Sequence, residues 1–184
     1  MIQGREIINS EKFEIILRRL CHQIIEEYKD FSDTCIIGLQ PRGSILSDCI
    51  VRLLRDEFKI QIDTYGKIDI TFYRDDYRNR DTPLRASPTH MNFIVDGKKV
   101  LLIDDVLFTG RSVHAAIAAL QDYGRPSNIE LLAFIDRRFN REFPIQADFL
   151  GISVDALDEA YVKVKWNEAL TSAQVFMFPQ KPTV

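Results

Sequence analysis

Apolar residues recur at helical spacing from Phe13 through Leu17, Leu20 and Ile24 to Tyr28, and Asn9-Ser10 just ahead supply an N-cap. The spacing predicts a first helix. Cys35-Ile36-Ile37-Gly38 then reads as a short buried strand, and after a turn at Pro41 and Gly43 the positions Leu46, Ile50, Leu53 and Leu54 mark a second helix. From Lys67 to Tyr73 the pattern alternates, with Ile68, Ile70 and Phe72 on one face, which predicts a strand. Periodicity stops over 74–92, RDDYRNRDTPLRASPTHMN, a polar run with two prolines. A loop of that length is usually a functional lid or a disordered segment. Beyond it, Lys99 to Ile103 predicts a buried strand, Ser112 to Tyr123 a helix stopped by Gly124 and Pro126, and Ile129 to Ile135 another strand. After Arg138 the pattern is less regular, with strands expected near Phe149 and Val162.

Alternating strand and helix patterns argue for an α/β fold, a mostly parallel sheet flanked by helices. The 184 residues suit one domain over 1–184, with the tail after about 138 completing or capping it. With 46% hydrophobic and 28% charged residues the chain can bury a full core. Its 24 Lys and Arg against 27 Asp and Glu give a net charge of −3, which argues against an indiscriminate nucleic-acid binder but permits a local basic face. No stretch approaches the ~20 apolar residues that span a bilayer. The start, MIQGREIINSEKF, lacks the apolar core of a secretory signal, so a cytoplasmic protein is expected. Cys21, Cys35 and Cys49 are not spaced as a zinc knuckle or redox pair and read as buried, inert thiols of a reduced compartment. No Cys–His or Ser–His–Asp constellation is present, and His22, His90 and His114 need no catalytic role.

The most informative stretch is VLLIDDVLFTGRSVHAAIAAL, from Val100 to Leu120. An apolar strand runs into two carboxylates, Asp104 and Asp105, then a Thr-Gly turn, then a hydroxyl residue opening a helix. In open α/β sheets ligands bind at the C-terminal ends of strands, and the N–H groups and dipole of a helix N-terminus suit a phosphate. Gly110 permits close backbone approach, while Thr109 and Ser112 offer hydroxyls. Carboxylates repel phosphate but accept from a ribose diol or from a metal's waters, so cradle and carboxylates together describe a sugar phosphate. The turn is neither a Walker A loop nor a GxGxxG turn. The plain alternative is a solvated Asp pair ahead of a capped helix.

IDDVLFTGRS resembles the phosphoribosyl-pyrophosphate (PRPP) loop of type I phosphoribosyltransferases. With IIGLQPRG, IDITFYRDD, GRPSNIELLAFIDR and FPIQADFLG, in order and spacing over roughly Phe13 to Val164, the chain resembles the pyrimidine-operon attenuator family PyrR, whose members double as uracil phosphoribosyltransferases. The resemblance implies a type I phosphoribosyltransferase fold with a small hood, built from the tail plus N-terminal elements, and a mobile flap. It implies PRPP, uracil and UMP as ligands, Mg²⁺ held mainly by PRPP with no direct protein ligand, and a homodimer or higher homo-oligomer. Val106, Leu107, Phe108, Thr109, Gly110, Arg111 and Ser112 would hold PRPP, with Asp105 facing the reacting ribose and Asp104 its alternative.

Pro41, Arg42 and Gly43 match the turn that holds pyrophosphate through amides exposed by a cis peptide, plus the Arg. Pro41 stands where the family commonly has a non-proline residue. A cis bond before proline costs only ~0.5–1 kcal/mol, against ~3–4 for other residues, so the substitution suits that geometry. The 74–92 run resembles the flap, where Arg74, Arg78, Arg80 and Arg85 offer cations to the leaving group and Asp75 and Asp76 either hold the flap or approach magnesium. Asp136, Arg137 and Val162 fall where backbone groups read uracil.

RNA-regulating members present a basic face assembled across a dimer. Arg19 and His22 match residues implicated there, and Arg18 and His22, four apart, share a helix face. Gln146 and Ile152 stand where those members carry basic residues, and Asn140 replaces a His. Three readings follow: a uracil phosphoribosyltransferase that also regulates pyrimidine genes by UMP-responsive RNA binding, a nucleotide-sensing attenuator without turnover, and a phosphoribosyltransferase for another base without an RNA role.

Overall fold

The computed structural model describes residues 4–75, 86–156 and 160–180. After a short strand β1 (Arg5–Ile8), the Asn9 side chain accepts the Lys12 N–H at 2.8 Å and starts helix α1 (Ser10–Tyr28), which buries Phe13, Leu17, Leu20, Ile24 and Tyr28 as the spacing predicts. There follow β2 (Thr34–Leu39), α2 (Gly43–Asp56), β3 (Tyr65–Ile68), β4 (Lys99–Leu107), α3 (Arg111–Leu120), β5 (Asn128–Arg137), β6 (Phe149–Val154), β7 (Tyr161–Trp166) and β8 (Ala173–Phe178).

Five of these strands form one parallel sheet in the order β3-β2-β4-β5-β6. Its central strands are apolar on both sides, as a sheet covered on both faces requires. Leu101 and Ile103 of β4 join a core with α1 and α2, while Val100 and Leu102 join the opposite core with α3. A second, antiparallel sheet in the order β1-β8-β7 is assembled from both ends of the chain, and its Val162, Val164 and Val175 merge with the core under α1.

The order has a functional consequence. From β2 the chain adds β3 on one side, then crosses over to add β4 on the other. Connections leaving β2 and β4 therefore diverge, and the crevice beyond their C-terminal ends is where such sheets take ligands. The last paired residues are Gly38 and Ile103, so the crevice opens just ahead of Asp104.

Three expectations need correction. The alternating run from Lys67 to Tyr73 is not one strand. β3 ends at Ile68, and the Asp69 carboxylate accepts from the Thr71 N–H at 2.9 Å and the Thr71 hydroxyl at 2.6 Å, winding Thr71–Tyr73 into a 3₁₀ turn. A local Asp–Thr turn outcompetes the alternation. The strand from Lys99 continues to Leu107, so both carboxylates lie on β4 rather than after it. The third helix begins at Arg111 and closes as a 3₁₀ turn over Gln121–Tyr123, because Gly124 adopts φ +119°.

Candidate active site

Pro41, Arg42, Asp104, Asp105, Arg74 and Ser112 converge on a cleft of about 450 Å³ at the switch point. It runs into a compartment of about 350 Å³ lined by Val106, Leu107, Phe108, Thr109, Gly110, Arg111 and Ser112, with Arg42, Arg74 and Asp104 shared between the two and Tyr161 of β7 on the wall. The sequence-predicted phosphate turn and carboxylates thus lie together with the Pro41–Arg42 turn. The Gln40–Pro41 peptide is cis. Gly43, the first residue of α2, presses so closely on β4 that a Cβ would stand 2.4 Å from the Ile103 carbonyl oxygen. That contact fixes the Arg42 turn against the Asp104 backbone.

The two carboxylates differ in their partners. Asp105 is 5% exposed, and its Oδ2 is buried without a hydrogen-bond partner. Asp104, half-buried, accepts the Asp105 N–H at 2.9 Å. Burial raises the pKa of both, the Asp105 charge adding to the effect on Asp104, while Arg42 opposes the rise in each. Burial also disfavours the Arg42 charge, but the Tyr161 hydroxyl and the two carboxylates nearby outweigh it and raise its pKa. A buried acceptor pair beside a guanidinium suits hydroxyl donors with an anion alongside.

Gly110 has φ +89°, and a Cβ there would sit 3.2 Å from Phe143 and 3.3 Å from Ile145. Its carbonyl accepts the His114 N–H at 2.9 Å and so opens α3. The turn is braced from behind, since the Thr109 carbonyl accepts the N–H groups of Glu142 and Phe143 at 2.9 and 3.0 Å, and Arg141 donates to the Phe108 carbonyl. The Arg111 N–H donates to Thr109 Oγ1 at 3.3 Å, and the first turn of α3 borders the compartment, the kind of helix start that suits an anion.

Of the flap candidates, Arg74 reaches the cleft and donates to Ser112 Oγ at 3.2 Å, and Asp75 pairs with Arg111, which also pairs with Glu142. Arg78, Arg80, Arg85 and Asp76 lie outside the described residues. The base of this loop is pinned by a residue to which the sequence assigned no role. Asp69, besides Thr71, accepts the Ser87 N–H at 2.7 Å on the returning limb, and its own N–H donates to Thr89 Oγ1 at 3.1 Å. Lys67 and His90 form an antiparallel bridge, and Gln40 Nε2 donates to the Pro88 carbonyl at 3.0 Å. An Asp followed two residues later by Thr was the only trace of this in the sequence.

At the end of β5 the Asp136 carboxylate is engaged by Arg141. Arg137 is buried, stacks 3.7 Å from the centre of the Phe108 ring and donates to the Ala160 carbonyl, with its Nε unpartnered and its pKa lowered by burial. The Val162 side chain is buried in the core, and the residue pairs with Met177 of β8. Arg18, Arg19 and His22 are exposed on α1. Arg18 pairs with Glu14 at 3.6 Å and Glu57 at 3.2 Å, and the His22 ring lies 4.8 Å edge-on from Phe58, so the two do share a face. Arg19 instead donates to the carbonyls of Leu150 and Gly151 on β6, at 3.1 and 2.5 Å. Gln146 is exposed, and Ile152 packs against the main core.

Residues 3–169 match the family described as the phosphoribosyl transferase domain. Among curated proteins the chain is similar to the "Bifunctional protein PyrR" of Nostoc punctiforme, 40% identical over 161 residues with 86% of this chain and 88% of that one covered. It is also similar to the protein of the same name from Caldicellulosiruptor bescii, 38% identical over 168 residues with 91% of each covered. Among solved structures, the hypoxanthine phosphoribosyltransferase of Trypanosoma cruzi superposes with a TM-score of 0.68 at 15% identity, covering 96% of this chain and 97% of that one. A hypoxanthine phosphoribosyltransferase from Staphylococcus aureus gives 0.65 at 16%, covering 86% and 80%. At such identities the likeness shows the fold alone.

Proposed function

The chain belongs to the phosphoribosyltransferase family, among the bifunctional PyrR proteins, and on that premise we propose that it makes UMP and pyrophosphate from uracil and PRPP. One observation carries the reading: an acceptor-only carboxylate pair and a glycine turn at a helix N-terminus share one crevice at the sheet's switch point. The 5′-phosphate sits on Thr109 to Ser112. Asp105 and Asp104 hold the ribose diol, and the cis turn with Arg42 takes the pyrophosphate. Uracil N1 attacks ribose C1 as the C1–oxygen bond to pyrophosphate breaks, through an oxocarbenium-like state, so the chain needs no nucleophile of its own. It contributes position, through the cradle and the diol contacts, and charge, through Arg42 and Arg74 at the leaving group. Asp136, Arg137 and the Val162 backbone border the base.

Among the described residues no three His, Cys, Asp or Glu side chains cluster as a metal cage. The donors present do fit Mg²⁺ carried in on PRPP, with the unpartnered Asp105 oxygen and Asp104 to meet its waters or the diol beneath it. When bound, Mg²⁺ supplies neutralisation of pyrophosphate charge.

The second function, UMP-responsive RNA binding to pyrimidine-gene transcripts, rests on the exposed Arg18 and His22 face and is weakened by neutral Gln146 and Ile152. A homodimer or higher homo-oligomer would assemble that face. The chain forms one phosphoribosyltransferase domain, with β1, β7 and β8 as its hood. No helix among the described residues is long and apolar enough to cross a membrane.

Pyrophosphate release from PRPP and Mg²⁺, assayed with uracil, hypoxanthine and orotate in turn, tests the base. Turnover with uracil is expected. Turnover with either other base and none with uracil would overturn the assignment while leaving the fold intact.

A further inference from the structure

Gln40 stands between β2 and the Pro41–Arg42 turn and lines the same cleft as Arg42, Thr71 and Arg74. It is bonded to both limbs of the loop that joins β3 to β4. Its backbone N–H donates at 3.0 Å to the carbonyl of Ile68, where the loop leaves β3. Its side-chain Nε2 donates to the Pro88 carbonyl on the returning limb, also at 3.0 Å. Pro88 lies between Ser87, whose N–H is accepted by Asp69, and Thr89, whose hydroxyl oxygen accepts the Asp69 N–H. A proline has no N–H to donate, so its carbonyl is the backbone group by which this part of the limb can be held.

Among the described residues the amide is satisfied at one end only, since Gln40 Oε1 is buried without a hydrogen-bond partner. An unpaired buried acceptor opposes folding, and an apolar side chain of the same length would avoid that cost. The amide is thus a poor choice for stability, whereas its donor joins two parts of the leaving-group site. We infer that Gln40 is a positioning residue for the pyrophosphate. Its side chain clasps the returning limb to the 40–43 turn, so that Arg42 from the turn and Arg74 from the departing limb meet one anion. Arg42 and Arg74 act on substrate, and Gln40 acts through them. Asp69 couples the limbs, because it bonds Thr71 on one and both Ser87 and Thr89 on the other.

The inference rests on the proposed phosphoribosyl transfer, but it can be tested without turnover. Gln40→Met keeps the length of the side chain and removes both polar ends. Titration calorimetry of magnesium pyrophosphate should show about fivefold weaker binding to the variant, within the roughly tenfold that one neutral hydrogen bond carries. UMP, which lacks pyrophosphate, should bind within about twofold of wild type, and the melting temperature should be no lower. Hydrogen exchange should quicken at the Ser87 and His90 amides of the returning limb. Gln40→Lys, which restores a donor on a stem of similar length, should return that exchange to the wild-type rate. In kinetics KM for PRPP should rise with the loss of pyrophosphate affinity, while kcat and KM for uracil hold. Placed in an Asp69→Ala background, where the limbs are already uncoupled, Gln40→Met should add little further, the signature of a residue that acts through another. A lowered melting temperature, equal losses of pyrophosphate and UMP affinity, undiminished pyrophosphate affinity, or an undiminished effect in the Asp69→Ala background would each overturn the inference. A wild type that ignores uracil while the calorimetric pattern holds would remove the base assignment and leave the role of Gln40 supported.

Discussion

Asp105 has two oxygens and no internal use for one of them. Its carboxyl titrates above an ordinary 3.8 because burial disfavours the charged form. A carboxyl with a raised folded-state pKa gives stability that is complete below the unfolded value and is lost as pH rises through the folded one. Asp105→Asn should therefore melt close to wild type near pH 4, then above it by a margin that widens toward neutrality, as thermal denaturation over a pH series will show. A variant that melts progressively below wild type as pH rises would mean that the charge serves the fold. Gly110 is constrained in a different way, by its backbone. Val at φ +89° is strained by roughly 1–3 kcal/mol, and its side chain would meet Phe143 and Ile145. Gly110→Val should weaken UMP and PRPP together by about tenfold or more, measured by calorimetry. UMP affinity that survives the change would put the phosphate elsewhere.

Between β3 and β4, the stem of the loop depends on Asp69, which holds both limbs through Thr71, Ser87 and Thr89. Asp69→Ala leaves several donors unpaired at about 1–3 kcal/mol. It should accelerate hydrogen exchange at the Thr71 and Ser87 amides and raise KM for PRPP, with α1 amides unchanged. Equal protection at Thr71 and Ser87 in both proteins would remove Asp69 from that role. This stem is also where hydrophobic pattern misleads. Ile68, Ile70 and Phe72 alternate as a strand does, but the pairing partner for β3 ends with Leu39, and Asp69 turns the chain first. The elements read well from sequence are those whose evidence is local: the Asn9 cap and apolar stripe of α1, and the Asp-Asp to Thr-Gly turn joining β4 to α3. β1 escapes a reading from sequence because it has four residues and pairs with β8, from the far end of the chain.

The two α1 arginines tie the assembled molecule together differently from what sequence position suggests. Arg18 lies in an exposed cluster with Glu14 and Glu57, where pairs contribute little. Arg19 donates to two carbonyls of β6, the last strand of the main sheet, and so helps to protect that edge. Arg18→Ala should leave melting nearly unchanged, whereas Arg19→Ala should cost about 1–2 kcal/mol without altering turnover. Gel shifts with the pyrimidine-operon leader, with and without UMP, should then show retention falling with Arg18→Ala. Tight, UMP-responsive binding by a variant carrying both Arg18→Ala and Arg19→Ala would assign RNA to another surface. Sequence alone named the residues that line the crevice, Pro41, Arg42, Asp104, Asp105 and the 106–112 turn, because strand ends and helix starts are local features. Tyr161 joins that lining from β7, a strand of the second sheet, a placement that no local pattern in the sequence announces. The central claim is that the Asp pair and the phosphate cradle transfer phosphoribose to uracil, and the direct measurement is UMP formed from labelled uracil and PRPP by wild type and Asp105→Asn in parallel. The account predicts steady UMP synthesis by the wild type and a fall in kcat on the order of 100-fold in a variant that remains folded. Wild-type kcat and KM for PRPP in Asp105→Asn, or no UMP from either protein, would contradict it.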